Sequence, residues 1–317
     1  MLSPIILRQG VHIFKRSCVR KAFGPRRYPG TASDICNSIV TDCWNGAYFQ
    51  TSTGNFNHFY SRDFGWCTES LLDLCKAKEV KLSLQYALNA FRRSGIKTAI
   101  SRSGIPFDFP NVYSPDSVAY FFRSIYLLGD KTLISSNRSF LERELNRFTA
   151  AAIDPKTCMI RRHSHFSSMK DYSIRDSSCY DLVMAAMLSD IADKMGLDNP
   201  LRRFNLVDNL ENFWDGAYYK DDLSSDLLSA DANLYQFWFG LEKRRSRLSK
   251  VIASIHKAGL DCPFPLKYST KNSNHRQVPF SFVAKDWELD AVWAHMGMVY
   301  IDVLHSVDKK QAQEHLD

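Results

Sequence analysis

The chain has 317 residues, a formal net charge of +7, a charged fraction of 24% and a hydrophobic fraction of 45%. These values are those of an ordinary soluble globular protein, and no apolar run approaches the roughly 20 residues that span a membrane. The positive charge is moderate, and the aromatic-and-basic patterns of the common RNA-binding modules are missing. We therefore expect no nucleic acid and no membrane among the partners.

The first 33 residues contain seven Lys and Arg residues and no Asp or Glu. This composition is typical of an organelle-targeting peptide, but serine is sparse and no clean amphipathic helix is visible. The alternative is a basic, poorly ordered tail or an initial strand. We treat residues 1–33 as a basic N-terminal extension and residues 34–317 as one helical domain.

From Ala32 onward, apolar residues recur mostly at helical spacing, and few segments alternate as strands do. Ser33 and Asp34 offer an N-cap, Pro115 suits a first helical turn, and Gly196 suits the residue after a helix end. The predicted helices cover about residues 34–49, 68–74, 80–94, 115–128, 134–152, 181–195, 200–213, 232–241, 243–258 and 289–307, followed by a polar stretch.

Four of these helices follow long polar and aromatic loops, and each of the four starts near an acidic residue. These residues are Asp63, Asp116, Asp181 and Asp231. A negative charge suits the N-terminus of a helix, so an N-capping role is as compatible with Asp116 and Asp181 as a functional one. Helical hairpins with their functional loops at one end are what an (α/α) toroid requires, and no solenoid repeat period is present. The sequence therefore predicts an all-α fold.

Eight cysteines are spread along the sequence, and none forms a Cys-x-x-Cys pair. Several lie beside apolar residues at positions compatible with a helix. We interpret them as reduced thiols in the core of a cytoplasmic protein and expect neither a disulfide framework nor a zinc site. His163 and His165 lie two residues apart in a loop, but a metal site needs more ligands at suitable spacing. We expect no metal and no cofactor.

Several common catalytic motifs are missing from the sequence, including a Gly-rich phosphate loop, a Gly-x-Ser-x-Gly elbow and His-Glu-x-x-His. What remains is carboxylates among arginines and aromatic residues. Aromatic rings stack on sugar faces, and carboxylates and Arg bond sugar hydroxyls. The segment from Phe166 to Asp181 is dense in charge just before an apolar helix. Because buried charge is costly unless paired or used, this segment is the best candidate for a site.

Short motifs in this segment resemble those of a known enzyme group. Ser168-Met-Lys-Asp171-Tyr-Ser-Ile-Arg175 is similar to the Ser-Gly-Trp-Asp-x-Ser-x-Arg motif of trehalases, and Tyr180-Asp181-Leu182 resembles the Val-Asp-Leu that opens the next helix there. Similar segments of trehalases or alkaline/neutral invertases match Arg62-Asp63-Phe64, Ser114-Pro-Asp116-Ser117 and Trp214-Asp-Gly-Ala-Tyr-Tyr-Lys-Asp-Asp. The chain thus resembles the six-hairpin (α/α)6-barrel glycoside hydrolases, which also include processing α-glucosidases.

The resemblance implies an (α/α)6 toroid of helical hairpins, of which this chain is about one hairpin short. It implies that Asp171 is the general acid and that Arg175 positions the substrate or the carboxylate. The second catalytic carboxylate of these families is a late Glu, but residues 265–282 contain no Asp or Glu. The remaining candidates are Asp286, Glu288 and Asp290, of which we choose Glu288. The expected substrate-binding residues are Arg62, Asp63, Trp66, Asp116, Arg175, Asp181, Trp214, Asp231 and Trp293.

These expectations point to a glycoside hydrolase that acts on a short α-glucoside or related glycoside by inverting general acid/base hydrolysis. One departure matters: Met169 and Lys170 replace the Gly-Trp of trehalases. A lysine there can pair with an acid of the cleft or lower the pKa of Asp171, which works against a proton donor. One alternative is a non-catalytic carbohydrate-binding or structural relative that has lost the base. Another is an (α/α)-barrel epimerase or polysaccharide lyase, which would need clustered His or Tyr bases.

Overall fold

The computed structural model describes residues 4–270, 277–278 and 288–317, and the chain divides into two compact units. Unit 1 comprises residues 1–144 and 191–198, and unit 2 comprises residues 145–190 and 199–317. The helices are α1 (Pro4–Phe23), α2 (Ala32–Cys43), α3 (Ser61–Asp73), α4 (Ala77–Ser94), α5 (Pro115–Leu128), α6 (Lys131–Ser136), α7 (Arg138–Ala152), α8 (Cys179–Lys194), α9 (Ala230–Trp238), α10 (Arg245–Lys257), α11 (Ala294–His305) and α12 (Lys309–Leu316).

The strands are short and form antiparallel hairpins and one three-stranded ribbon in the order β1-β2-β3. They are β1 (Phe59–Tyr60), β2 (Ala99–Ile100), β3 (Pro106–Phe107), β4 (Ile153–Asp154), β5 (Met159–Ile160), β6 (Ser164–His165), β7 (Ile174–Arg175), β8 (Lys220–Asp222) and β9 (Ser225–Leu228). Most of the ordered structure is helical, so the all-α prediction is confirmed.

Unit 1 is built around the close packing of α3 and α5. Every residue of α5 from Pro115 to Ile125 is buried, as expected for a helix that is surrounded by other elements. Gly65 of α3 allows the approach, because a Cβ atom there would lie 2.4 Å from the Cβ of Tyr120. Phe59, at the start of the ribbon, and Phe64 pack against each other with ring centres 5.1 Å apart.

Unit 2 contains two helices that start from buried aspartates. Residues 179–188 of α8 and 230–236 of α9 are buried, and α9 packs on α11. In contrast, α10 buries only Leu248, Val251, Ile252 and Ile255, which lie on one face. Hairpins β6–β7 and β8–β9 precede α8 and α9, so the chain enters each buried helix from a hairpin.

The structure corrects several predicted boundaries. Helix α2 ends at Cys43 and not near residue 49, because Gly46 turns the chain with a φ of +92°. The predicted helix 134–152 is interrupted at Asn137, and residues 200–213 form two 3₁₀ segments. The C-terminal polar stretch, for which no element was predicted, forms α12, whose first turn is capped by the side chain of Asp308.

Two expectations about composition are also corrected. Residues 4–23 of the basic extension form helix α1 and neither a tail nor a strand. All eight cysteines are free, but only Cys43 and Cys179 are buried, and Cys18, Cys36, Cys67, Cys75 and Cys262 are exposed. They are therefore not core thiols as a group. Within the described ranges, no helix is long and apolar enough to cross a membrane.

Candidate active site

A cluster of five buried charged side chains lies at the centre of the candidate site in unit 2. Lys170 Nζ pairs with Asp221 Oδ1 and lies 3.6 Å from Asp231 Oδ1. Arg175 Nη1 lies 3.3 Å from Asp231 Oδ2, and Arg175 Nη2 lies 3.8 Å from Asp181 Oδ2. All five side chains are at most 3% exposed. We refer to Lys170, Arg175, Asp181, Asp221 and Asp231 as the ion cluster.

Mutual pairing allows these charges to be buried. Burial alone would lower the pKa of Arg175, but the negative charges of Asp181, Asp221 and Asp231 outweigh it and raise that pKa. The guanidinium also donates a hydrogen bond of 2.6 Å to the carbonyl oxygen of Ser168. A second partner supports Asp221, whose Oδ1 accepts a 2.8 Å hydrogen bond from Ser229 Oγ. The cluster therefore connects residues 168–175, through buried ion pairs, to the first turns of α8 and α9 and to β8.

The local backbone brings these side chains inward. Met169 adopts a φ of +55° and Ser177 a φ of +62°, both in the left-handed region that a side chain rarely adopts. These two turns lie on either side of β7, which pairs with β6 through Ser164 and Arg175. Such strain persists only where the surroundings stabilise it, and the ion cluster supplies that stabilisation.

Asp171 and Glu288 lie next to each other at the edge of this loop. The backbone N–H of Tyr172 donates a 2.8 Å hydrogen bond to Glu288 Oε1, and Ser173 Oγ donates a 2.9 Å hydrogen bond to Glu288 Oε2. Asp171 is half-buried and accepts a 2.7 Å hydrogen bond from Ser167 Oγ. The loop that carries Asp171 is therefore held by the carboxylate of Glu288.

The pKa of Glu288 is raised by burial and then by the negative charge of Asp171, although hydrogen bonds from Tyr172 and Ser173 oppose the shift. Burial, together with the charges of Asp171 and Glu288, raises the pKa of the Tyr172 phenol to about 12. The effect of Asp171 on the pKa of Glu288 indicates that the two carboxyl groups lie close enough to interact electrostatically.

The other late acidic candidates have different positions. Asp290 is exposed, and Asp286 lies outside the described residues. His165 is half-buried and donates from Nε2 to the carbonyl oxygen of Asp171 at 2.7 Å. His163 is exposed, with its Nδ1 3.7 Å from Asp176 Oδ1. Within the described ranges, no group of three or more His, Cys, Asp or Glu residues could hold a metal ion.

A second charged group lies in unit 1. Arg62 binds Asp116 through two contacts, Nε to Oδ2 at 2.6 Å and Nη2 to Oδ1 at 3.2 Å. Asp116 is fully buried and also accepts a 2.9 Å hydrogen bond from Ser114 Oγ. Trp66 is half-buried against the edge of Tyr120, with ring centres 5.6 Å apart. The pair of Arg62 and Asp116 joins α3 to α5, and half-buried Asp63 lies in the first turn of α3.

Trp214 belongs to a structural motif that occurs twice. Trp214-Asp-Gly-Ala-Tyr-Tyr219 matches Trp44-Asn-Gly-Ala-Tyr-Phe49, and in both copies the first and last residues form a β-bridge. The ring centres of these residues are 5.0 Å apart in one copy and 5.1 Å in the other, each at 60°. The guanidinium of Arg247 lies 4.6 Å from the Trp214 ring centre. The second copy indicates that this motif builds a tight hairpin.

The structure thus brings Asp171 and Glu288 together, and it brings Arg175, Asp181 and Asp231 together in the ion cluster. Trp293 is the N-cap residue of α11, and its ring centre lies 5.6 Å from that of His295. Sequence analysis missed Asp221. Its signal was the Asp221-Asp222 pair directly after the Trp214 motif, which marks a hairpin able to present a carboxylate.

No protein-family model and no curated protein matches the sequence. Solved structures are nevertheless similar to the chain. A GH63 mannosylglycerate hydrolase from Thermus thermophilus, in complex with Tris and D-glycerate, has a TM-score of 0.60 at 10% identity over 88% of this chain and 88% of that chain. A rhamnosidase from Klebsiella oxytoca has a TM-score of 0.60 at 10% identity over 89% of this chain and 52% of that chain.

The chain has the fold of the (α/α)-barrel glycoside hydrolases. The fold-level resemblance inferred from the short motifs is confirmed in this way. A sugar epimerase from a ruminal bacterium is also similar, with a TM-score of 0.56 at 12% identity over 96% of this chain and 87% of that chain. Because hydrolases and an epimerase both match this fold, the activity has to be argued from the site.

Proposed function

We propose that this protein is a glycoside hydrolase that acts on a short α-glucoside or related glycoside and inverts the anomeric centre. Asp171 is the proton donor, and Glu288 is the carboxylate that activates water. The observation that carries this proposal is the hydrogen bond from the N–H of Tyr172, the residue after Asp171, to Glu288. Two carboxyl groups far apart in sequence thus lie at one loop edge, and glycosidic hydrolysis needs such a pair.

The ion cluster has a positioning role in this proposal. Lys170 and Arg175 flank the catalytic segment in sequence, and both are held by buried aspartates. Lys170 pairs with Asp221, a partner that lies in β8. Rigid support of this kind holds a catalytic group close to its productive position, because a small displacement already slows the reaction. Asp181 and Asp231 therefore act on the reaction through the loop, and their direct contact with substrate remains a prediction.

The raised pKa of Glu288 suits its proposed role as the base. A general base is most effective when its pKa lies near the working pH, and burial together with the charge of Asp171 moves Glu288 in that direction. We expect the sugar to contact half-buried residues near the two carboxyl groups, because such residues can bind a ligand and be shielded from bulk water.

All eight cysteines are free, which supports a cytoplasmic location.

A non-catalytic carbohydrate-binding protein is the second candidate. The observation that favours it is that both oxygens of Glu288 already accept hydrogen bonds, from Tyr172 N–H and Ser173 Oγ. A carboxylate used in this way can anchor the loop without activating water. The two candidates differ in one measurable respect, since only the hydrolase converts the sugar that it binds.

The test is a screen of nitrophenyl glycosides and common disaccharides, with the anomer of the first product followed by NMR. Release of the inverted anomer would support the hydrolase. Sugar binding without turnover would support the second candidate, and retention of configuration would contradict inversion. On a dinitrophenyl glycoside, whose leaving group needs no proton, we expect Asp171→Asn to keep more activity than Glu288→Gln. The opposite order would reverse the two catalytic assignments.

A further inference from the structure

Helix α1 has a row of exposed apolar side chains. Leu7, Val11 and Phe14 are 57%, 52% and 70% exposed, and exposed Cys18 continues the row. Residues spaced by three or four lie on one face of a helix, so these four form a continuous stripe. We call Leu7, Val11, Phe14 and Cys18 the α1 stripe. Leaving such a stripe in water is unfavourable, which suggests that another apolar phase covers it.

The opposite face of α1 contacts the rest of unit 1 largely through polar side chains. Gln9 Nε2 donates a 2.6 Å hydrogen bond to the carbonyl oxygen of Asn55, and His12 Nε2 lies 2.9 Å from the carbonyl oxygen of Gly54. Ile5 adds an apolar contact, packed against the cluster around Tyr60, and Ile13 is half-buried. A surface helix normally turns its apolar stripe to the protein and its polar face to water. In α1 the hydrogen bonds of Gln9 and His12 lie on the inner face, and the apolar stripe of Leu7, Val11 and Phe14 is exposed.

Positive charge surrounds the α1 stripe. Arg8, Lys15 and Lys21 are exposed and lie beside the stripe at helical spacing, and residues 1–33 contain no acidic residue that could neutralise them. An apolar stripe between cationic side chains is the arrangement of helices that lie in the interface of a membrane. Anionic headgroups attract such side chains, whereas a zwitterionic surface does not.

We propose that α1 binds the surface of a membrane that contains anionic lipids. The α1 stripe enters the boundary between headgroups and acyl chains, and the flanking Lys and Arg side chains pair with lipid phosphates. The helix lies along the surface and does not span the membrane. We favour a lipid surface over a groove in another protein because the positive charge beside the α1 stripe is complementary to anionic headgroups. This proposal does not depend on the hydrolase activity, and it departs from the expectation that no membrane is a partner.

The test is cosedimentation of the full chain with phosphatidylcholine vesicles that contain phosphatidylglycerol, compared with pure phosphatidylcholine vesicles. We expect binding to the anionic vesicles only, weakening as salt screens the charges. The variant Leu7→Ser/Phe14→Ser should lose affinity by at least about tenfold, because both side chains enter the apolar layer. The matched control is Ile105→Ser in unit 1, which is 51% exposed and lies outside α1. It should bind like the wild type.

A second readout reports insertion directly. In Phe14→Trp, the tryptophan emission should shift to shorter wavelength when anionic vesicles are added. Several results would overturn the proposal: no binding to anionic vesicles, equal binding to neutral ones, or full binding by Leu7→Ser/Phe14→Ser with unchanged circular dichroism. A wild-type dimer that becomes a monomer in the double variant would assign the α1 stripe to a second copy of the chain instead.

Discussion

Glu288 accepts a 2.8 Å hydrogen bond from the backbone N–H of Tyr172, which precedes it by 116 residues in the sequence. This contact holds the residue next to Asp171 and places two carboxyl groups at one loop edge. It has two separable consequences. One is structural, since the carboxylate of Glu288 anchors the loop, and the other is electrostatic, since the charge of Asp171 helps to raise the pKa of Glu288.

The electrostatic consequence predicts a pH dependence of stability. Burial and the charge of Asp171 raise the pKa of Glu288 in the folded state. The folded chain therefore binds more protons than the unfolded chain above the ordinary Glu pKa of about 4.3, and its stability falls as the pH rises through the raised value. In Glu288→Gln the amide oxygen still accepts from Tyr172, but no charge is buried. We expect the free energy of unfolding of this variant to fall less than that of the wild type over this range.

Urea unfolding at a series of pH values would measure this effect. Glu314→Gln is the matched control, because the side chain of Glu314 is 63% exposed. Its stability curve should run parallel to that of the wild type. If the curve of Glu288→Gln also ran parallel, Glu288 would not have a raised pKa.

The catalytic assignment predicts that Asp171→Asn loses activity and not its fold. Removal of a general acid costs typically about 10²–10⁴-fold in turnover for a leaving group that needs a proton. Ser167 Oγ can still donate to the asparagine oxygen, so we expect little change in melting temperature. The measurement is kcat on the best glycoside from the substrate screen. Asp226→Asn is the control, because Asp226 is exposed in the hairpin of unit 2. Wild-type kcat in Asp171→Asn would exclude the role.

The ion cluster predicts a large stability cost for Lys170→Met. The substitution leaves Asp221 buried with the more distant Arg175, whose Nη1 lies 3.9 Å from Asp221 Oδ1. Breaking a buried pair from one side typically costs about 3–5 kcal/mol. Removal of both charges in Lys170→Met/Asp221→Asn should cost less than the sum of the two single changes.

Urea unfolding measures these free energies. The control is Lys310→Met, which removes an exposed lysine whose Nζ lies 3.6 Å from Glu314 Oε1. Such a pair contributes up to about 1 kcal/mol, so the control should remain close to the wild type. Additive costs in the double variant would show that Lys170 and Asp221 are energetically independent.

The packing of α3 on α5 predicts opposite effects of alanine at two helical glycines. A Cβ at Gly65 would lie 2.4 Å from Tyr120 Cβ and 2.9 Å from the Tyr120 carbonyl oxygen, so the helices must move apart. We expect Gly65→Ala to destabilise the protein by about 1–3 kcal/mol. Gly10 in α1 has nothing within 4 Å of the equivalent position, and Gly10→Ala should stabilise by about 0.5–1 kcal/mol. Thermal unfolding tests both, and equal effects would contradict the close approach.

The sequence by itself determined the features that depend on neighbouring residues. Helix α5 begins at Pro115 and ends at Leu128, as its proline and its apolar spacing predicted. Asp181 and Asp231 were placed correctly in the first turns of α8 and α9. Capping, helical periodicity and turn formation act over a few residues, so they can be read without knowledge of the fold. The order of short motifs along the chain also indicated the fold that the solved structures share.

Only the tertiary structure decided which distant groups meet. Sequence analysis placed Glu288 late in the chain but had no means of bringing its carboxylate to Tyr172. The sequence indicated an acid of the cleft as a partner for Lys170, and the fold supplies Asp221, which lies in the motif that begins at Trp214 but was not among the expected site residues. The positive charge of residues 1–33 was evident from the sequence. The formation of helix α1 and the exposure of Leu7 were not predicted. Pairing of buried charges and the facing of a helix depend on contacts between segments far apart in sequence, and those contacts exist only once the chain has folded.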